Sequence, residues 1–135
     1  MVQEILVKAP LEKERIKAGK ELLQRLAKTD LKVTAALWLW RAERPRWKLI
    51  LASPLVNKKG RLEAYNKIDH TLYGKPSQIP GLELTDINPM ATTKPLIKAL
   101  RAHAKRYQTD LSGKRLEEYW LGDVAVDDAY VYYVK

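Results

Sequence analysis

Five acidic side chains near the C-terminal end, Glu117, Glu118, Asp123, Asp127 and Asp128, come nearest in type and spacing to a catalytic set. Divalent-metal nucleases place Asp and Glu at strand ends, where Mg2+ bridges a phosphate and activates water. Asp127-Asp128 precedes a strand-favouring run, a suitable location, but turn residues belong there too and Asp is a common one. The chain has no Glu-x-Lys triplet. Its single Asp-x-Lys, Asp30 to Lys32, lies at a helix-to-strand joint without an obvious second acid. The reading is a capped turn before the last strand, with a divalent-metal-dependent nuclease or phosphodiesterase as the enzymatic alternative. No catalytic or metal-ligating residue is assigned, and no cofactor is implied.

Other catalytic patterns are missing. Ser53, Ser77 and Ser112 lie in turn-like contexts and no G-x-S-x-G elbow occurs. His70 and His103 each fall on an expected helix with no second His at ligand spacing, and the chain has no cysteine to complete a zinc site. His103 could exchange a proton near a bound phosphate, but the sequence offers it no orienting partner. Neither Gly74-Lys75 nor Gly113-Lys114 stands in a Walker frame, since the residues five before the glycines are Asp69 and Gln108 and no Ser or Thr follows the lysines. Gly113-Lys114-Arg115 could still meet a phosphate through backbone N–H groups and two cations.

Clustered cations carry the stronger signal. Lys94, Lys98, Arg101 and Lys105 recur along one side of an expected helix, and Lys13, Lys17, Lys20, Gln24 and Lys28 along another. Such stripes can neutralise phosphates and make binding salt-sensitive. Surface helices normally carry lysine opposite their apolar side, so each stripe alone is an ordinary solvated face. What favours a polyanion is that few acids interleave and that 25 Lys and Arg against 16 Asp and Glu leave a net charge of +9. Reversing Lys98 and Arg101 to Glu is expected to weaken nucleic-acid binding and flatten its salt dependence without changing the fold.

The elements that must position these residues are legible in the apolar pattern. From Pro10, taken as a first-turn residue, Ile16, Gly19, Leu22, Leu23, Leu26 and Ala27 make one helical stripe, with Gly19 small for close packing on a sheet. Thr34 to Trp40 and Trp47 to Ala52 read as a hairpin whose turn, Arg41 to Arg46, contains Pro45. Alternation puts Ala36, Trp38 and Trp40 on one side and Ala35, Leu37 and Leu39 on the other, so both faces need cover. Lys48 belongs near a wet rim. Asn57 caps a helix from about Lys58 to Tyr73, whose inner side is Leu62, Tyr65, Ile68 and Leu72, and Gly74 to Gly81 is a candidate binding loop. A short strand at about Leu82 to Ile87, closed by Asn88-Pro89, precedes a helix from Thr93 to Tyr107 with Pro95 in its first turn and Leu96, Ile97, Leu100, Ala104 and Tyr107 on its apolar side. Arg115 to Leu121 and Ala129 to Val134 are the last strands, separated by Gly122 to Asp128.

The order is α-β-β-α-β-α-β(-β): an α/β (or α+β) single domain over residues 1–135, with a mixed sheet built on the central hairpin and packed by about three amphipathic helices. Crossovers through the second and third helices are expected to be right-handed if they join parallel strands. Residues Met1 to Lys8 choose between edge strand and helix on too few apolar positions. No stretch is apolar enough for a signal peptide or a membrane span, so the expected location is the cytoplasm, with no membrane partner. All eleven aromatics, four Trp and seven Tyr, carry a polar atom, which suits half-buried sheets and interfaces. Two readings follow: a non-catalytic module contacting nucleic acid through basic helix faces, or a homodimer joined through an aromatic sheet surface. Trp38, Trp40 and Trp47, at strand spacing, are expected in the core or an interface rather than as base-stacking platforms.

Overall fold

The computed structural model describes residues 9–74 and 79–135. Val2, Ile5, Leu6 and positions 75–78 of the candidate loop, Ser77 included, lie outside the described residues.

The elements are α1 (Lys13–Leu26), β1 (Ala35–Arg41), β2 (Arg44–Ala52), α2 (Pro54–Lys59), α3 (Arg61–Tyr73), β3 (Ile87–Met90), α4 (Pro95–Tyr107), β4 (Arg115–Leu121) and β5 (Val124–Val134). The five strands form one mixed sheet in the order β3-β2-β1-β5-β4, in which only the β2–β3 pair is parallel. The central strand β1 is buried on both sides from Ala35 to Trp40. Ala36, Trp38 and Trp40, with Trp47, Leu49 and Leu51 of β2, pack under Leu22 and Leu26 of α1 and Ile68 and Leu72 of α3. Ala35, Leu37, Leu39, Ile50 and Val131 pack under Leu96, Ile97 and Leu100 of α4. The result is a three-layer α/β/α arrangement with an α1 face and an α4 face.

The α1–sheet contact is as close as the glycine suggests. A Cβ on Gly19 would collide with the Tyr132 hydroxyl and stand 3.1 Å from Trp38 Nε1. Trp38 Nε1 donates to that hydroxyl at 2.9 Å, and the hydroxyl in turn donates to the Ile16 carbonyl.

Several boundaries differ from expectation. Pro10 precedes α1, which begins after Glu12, and Ala27 is its exposed C-cap. Asn57 is no cap: Ser53 caps α2, accepting the Leu55 N–H at 3.2 Å with Pro54 behind it. Gly60, at φ 86°, then breaks the expected single helix in two. Asn57 instead accepts both the N–H and the hydroxyl of Thr92, at 2.9 and 3.1 Å. Leu62 is exposed rather than on the inner side of α3. The hairpin turn shrinks to Ala42-Glu43, and Pro45 lies within β2. Leu84–Asp86 is a 3-10 turn, and Asn88-Pro89 lies inside β3. Proline fits there because β3 is an edge strand and needs no ladder donor on its open side.

The connection through α2 and α3 joins parallel neighbours, whereas α4 leads from one sheet edge to the other, between strands that run antiparallel. The final loop shrinks to Gly122-Asp123, with Gly122 at φ 62° as the first residue of a two-residue hairpin turn. Asp127 and Asp128 therefore sit inside β5 rather than in a turn before it.

Candidate nucleic-acid interface

Helix α4 is seated by Leu96, Ile97 and Leu100, and this choice of inner face decides what its other sides present. Pro95 opens the helix, and Gln108 closes it in the left-handed conformation at φ 48°. The side turned toward β4 carries Ala99, Ala102, His103 and Arg106, with Lys98 at its margin and Tyr107 at its end. Two alanines leave room there.

The facing strand β4 holds a backbone irregularity. Leu116, Leu121 and Val126 all belong to the core under α4, although strict alternation would separate Leu116 from Leu121. The alternation is reset at Glu118, at φ 45°, opposite a matching reset in β5, where Val126 and Ala129 both face α4. A left-handed glutamate is uncommon, and a position of this kind is held only by the structure around it. Its consequence is that Tyr119, paired with Val126, reaches α4, where its hydroxyl lies 3.1 Å from His103 Nε2. Which of the two donates follows the imidazole tautomer.

Between these elements runs an open groove of about 810 Å3. Trp120 at its β4 edge is 66% exposed, Tyr107 61% and Tyr119 37%. The His103 ring lies tilted at 52° to that of Tyr107, 4.7 Å away, and edge-on at 5.4 Å to Tyr119, and the Arg106 guanidinium stands 5.7 Å from the Tyr107 ring. Lys98 and Arg106 supply positive charge, against a single lining carboxylate, Asp123. Cations beside exposed rings can neutralise phosphates while bases stack, an arrangement suited to single-stranded nucleic acid.

The basic stripe of α4 is divided by this geometry. Lys94, Lys98 and Lys105 are exposed, but only Lys98 lines the groove. Arg101 is half-buried: its Nε donates to the Lys135 carbonyl at 3.1 Å and its Nη2 to Thr34 Oγ1 at 3.0 Å. The expectation that Arg101→Glu spares the fold is therefore corrected, because the change would cut ties between α4, the start of β1 and the end of β5. On the other face, Lys13, Lys17 and Lys20 are exposed along a groove of about 630 Å3 that also meets Tyr130, Tyr132 and Tyr133. Those rings serve the fold, since Tyr132 donates to the Ile16 carbonyl and Tyr133 to that of Val33. Burial raises both phenol pKa values above the usual range.

The acidic set is dispersed. Asp128 is fully buried and accepts a bidentate pair from Arg115 at 2.6 and 2.8 Å. Asp127 accepts the Ala42 N–H at 2.8 Å and ties the two hairpins together. Glu117 lies 3.7 Å from Arg115, Glu118 occupies the left-handed position, and Asp123 is in the turn. Among the described residues no group of three or more His, Cys, Asp or Glu could hold a metal ion. The Gly113 turn is likewise committed: its N–H donates to Val131 at 2.7 Å, that of Lys114 to Leu111 at 3.0 Å, and Arg115 holds Asp128. This corrects the phosphate role read for Gly113-Lys114-Arg115. His70 is exposed on α3, whereas His103 has the partner that the sequence did not reveal.

Trp38, Trp40 and Trp47 are core residues, the last donating Nε1 to the Ala9 carbonyl at 2.7 Å. Spacing put Tyr107 on the apolar side of α4, where the structure instead exposes it at the helix end, and it did not single out Trp120, Tyr119 or Arg106. The available signal was a Tyr-Trp pair just before Leu-Gly-Asp, with two acids preceding it and so little to bury. No protein-family model, curated protein or solved structure matches the chain. Among the described residues no helix is long and apolar enough to cross a membrane.

Proposed function

We propose that this protein is a non-catalytic binding module for single-stranded nucleic acid, with the α4–β4 groove as its reading surface. The observation that carries the proposal is the exposure of Tyr107 and Tyr119 in a groove that also holds Lys98 and Arg106, with exposed Trp120 at its β4 edge. Of the four tryptophans, three are buried and the fourth lies on this groove. Single exposed rings are ordinary, but several beside one groove mark an interaction site, and base stacking supplies a use for them. The +9 charge would draw the polyanion in.

The test is the affinity of labelled oligouridylate and oligothymidylate for the wild type and for Trp120→Ala and Tyr107→Ala. Stacking contributes about 1–3 kcal/mol per base, so each change should weaken binding roughly 5- to 150-fold with the unfolding midpoint preserved. Undiminished affinity in both folded variants would remove the groove from the proposal.

A second reading has one specific observation behind it. Strand β4 is an open sheet edge and carries exposed Trp120, a place where a second copy could add a strand. Light scattering on a purified sample separates the two readings, since a dimer abolished by Trp120→Ala would favour self-association.

A further inference from the structure

Strand β2 presents a second concentration of charge that lies outside both helix stripes. Its alternation places Arg44, Arg46 and Lys48 on the α4 face, and Arg41 pairs opposite Arg44 across the hairpin. Together these four side chains line a hollow of about 170 Å3. The arginines are open to solvent, with 49% of the Arg41 side chain and 54% of the Arg46 side chain exposed. Two acids stand nearby. Glu43 is 4.0 Å from Arg41, both of them exposed, so the pair contributes little. Asp86 is 3.7 Å from Arg46 but is held more closely by Arg15, at 3.0 Å. No ion pair joins Arg44 to any described residue. Lys48 donates to the Thr85 carbonyl, and burial, then the charge of Arg46, lowers its pKa.

Like charges directly opposite one another in a sheet destabilise it. Arginine and Pro45 could guard the free outer part of β2, which β3 does not reach. Guarding an edge does not explain why the charges share one face, nor why that face leads into the aromatic groove. Two further hollows that share Arg41, Leu96 and Val124 lie between it and the aromatic groove, one by Lys94 and Pro95 and the other also lined by Glu43 and Asp127.

We propose that Arg41, Arg44 and Arg46 form a phosphate-binding extension of the α4–β4 groove, holding the backbone of the strand whose bases stack at Trp120. This rests on the function proposed above and adds to it a length requirement. From β2 to β4 the track crosses three strand spacings of about 4.8 Å, roughly 14 Å, a span of a few single-stranded nucleotides. A trinucleotide seated on the rings need not reach the arginines, whereas a dodecanucleotide spans the whole track.

The experiment compares 3- and 12-nucleotide labelled oligouridylates on the wild type and on Arg44→Gln/Arg46→Gln, across a salt series. The wild type should bind the 12-mer more tightly. The double variant should keep its 3-mer affinity, lose about tenfold for the 12-mer and lose about 1.4 from the log–log salt slope, the share of two phosphates on a single strand. Equal 12-mer affinity and slope in wild type and folded variant would overturn the extension while leaving the groove intact. A wild type that binds neither oligonucleotide would overturn both proposals. If the variant does not fold, the arginine Nε–H resonances of the wild type decide. A shift of Arg44 and Arg46 with the 12-mer but not the 3-mer supports the track, and no shift with either overturns it.

Discussion

Gly19 sits where α1 crosses β1 and β5, under a tyrosine hydroxyl that cannot easily move. Tyr132 is pinned between Trp38 Nε1 and the Ile16 carbonyl. Alanine would gain about 1 kcal/mol of helix propensity, but overpacking at a fixed neighbour costs about 1–3 kcal/mol. Gly19→Ala is therefore expected to lower the free energy of unfolding in urea by up to about 2 kcal/mol; a rise would show that the contact is soft. The sequence showed this residue's role because a glycine within an apolar helical stripe has few other uses. It could not separate Arg101 from Arg106. Both are basic residues on one amphipathic helix, and only the position of Thr34, the Lys135 carbonyl and Tyr107 makes the first a tie and the second a groove residue.

Strand β4 owes its functional side to Glu118, and two substitutions test this. Left-handed backbone costs a non-glycine residue roughly 1–2 kcal/mol, so Glu118→Gly should retain or raise stability, while Glu118→Val should lower it by about that amount and disturb the Tyr119–His103 contact. Calorimetry reads both, and the opposite order would refute the assignment. Alternation in the sequence could not foresee the reset, because it comes from backbone conformation at Glu118 and in the paired part of β5 and not from side-chain type. The hairpin at the sheet centre was legible for the opposite reason: with both faces apolar, either register of β1 buries the same residues.

Strand β5 carries a pH dependence. Burial raises the folded pKa of Tyr132 and Tyr133 above the unfolded value near 10, so from that point upward the unfolded chain releases protons the folded chain retains. The stability they contribute is fully present below about pH 10 and falls as pH rises beyond it. Urea titrations at pH 8 and 11 should show the decline, and Tyr133→Phe should reduce its slope; an unchanged slope would mean Tyr133 ionises alike in both states.

At the scale of the molecule, the +9 charge is distributed over both faces. Lys13, Lys17 and Lys20 line the α1 face, and Lys98, Arg106 and the arginines of the hairpin line the α4 face. Among the described residues the two most exposed rings, Trp120 and Tyr107, stand by the cations of the second face, which places recognition there and leaves the first to long-range attraction. The layered α/β architecture followed from amphipathic helices around a two-sided apolar hairpin. The groove did not, since it joins residues of α4 and β4 that meet only after α4 has led from one sheet edge to the other.

The most direct measurement is tryptophan emission during titration with oligouridylate and oligothymidylate at several salt concentrations. Trp38, Trp40 and Trp47 are shielded, so bases arriving in the groove should quench Trp120 alone. Saturable quenching that persists near physiological salt, weakens with added salt and is absent from Trp120→Ala is the predicted result. Binding of the same oligonucleotides by anisotropy with no change in Trp120 emission, or no binding above the lowest salt, would contradict it.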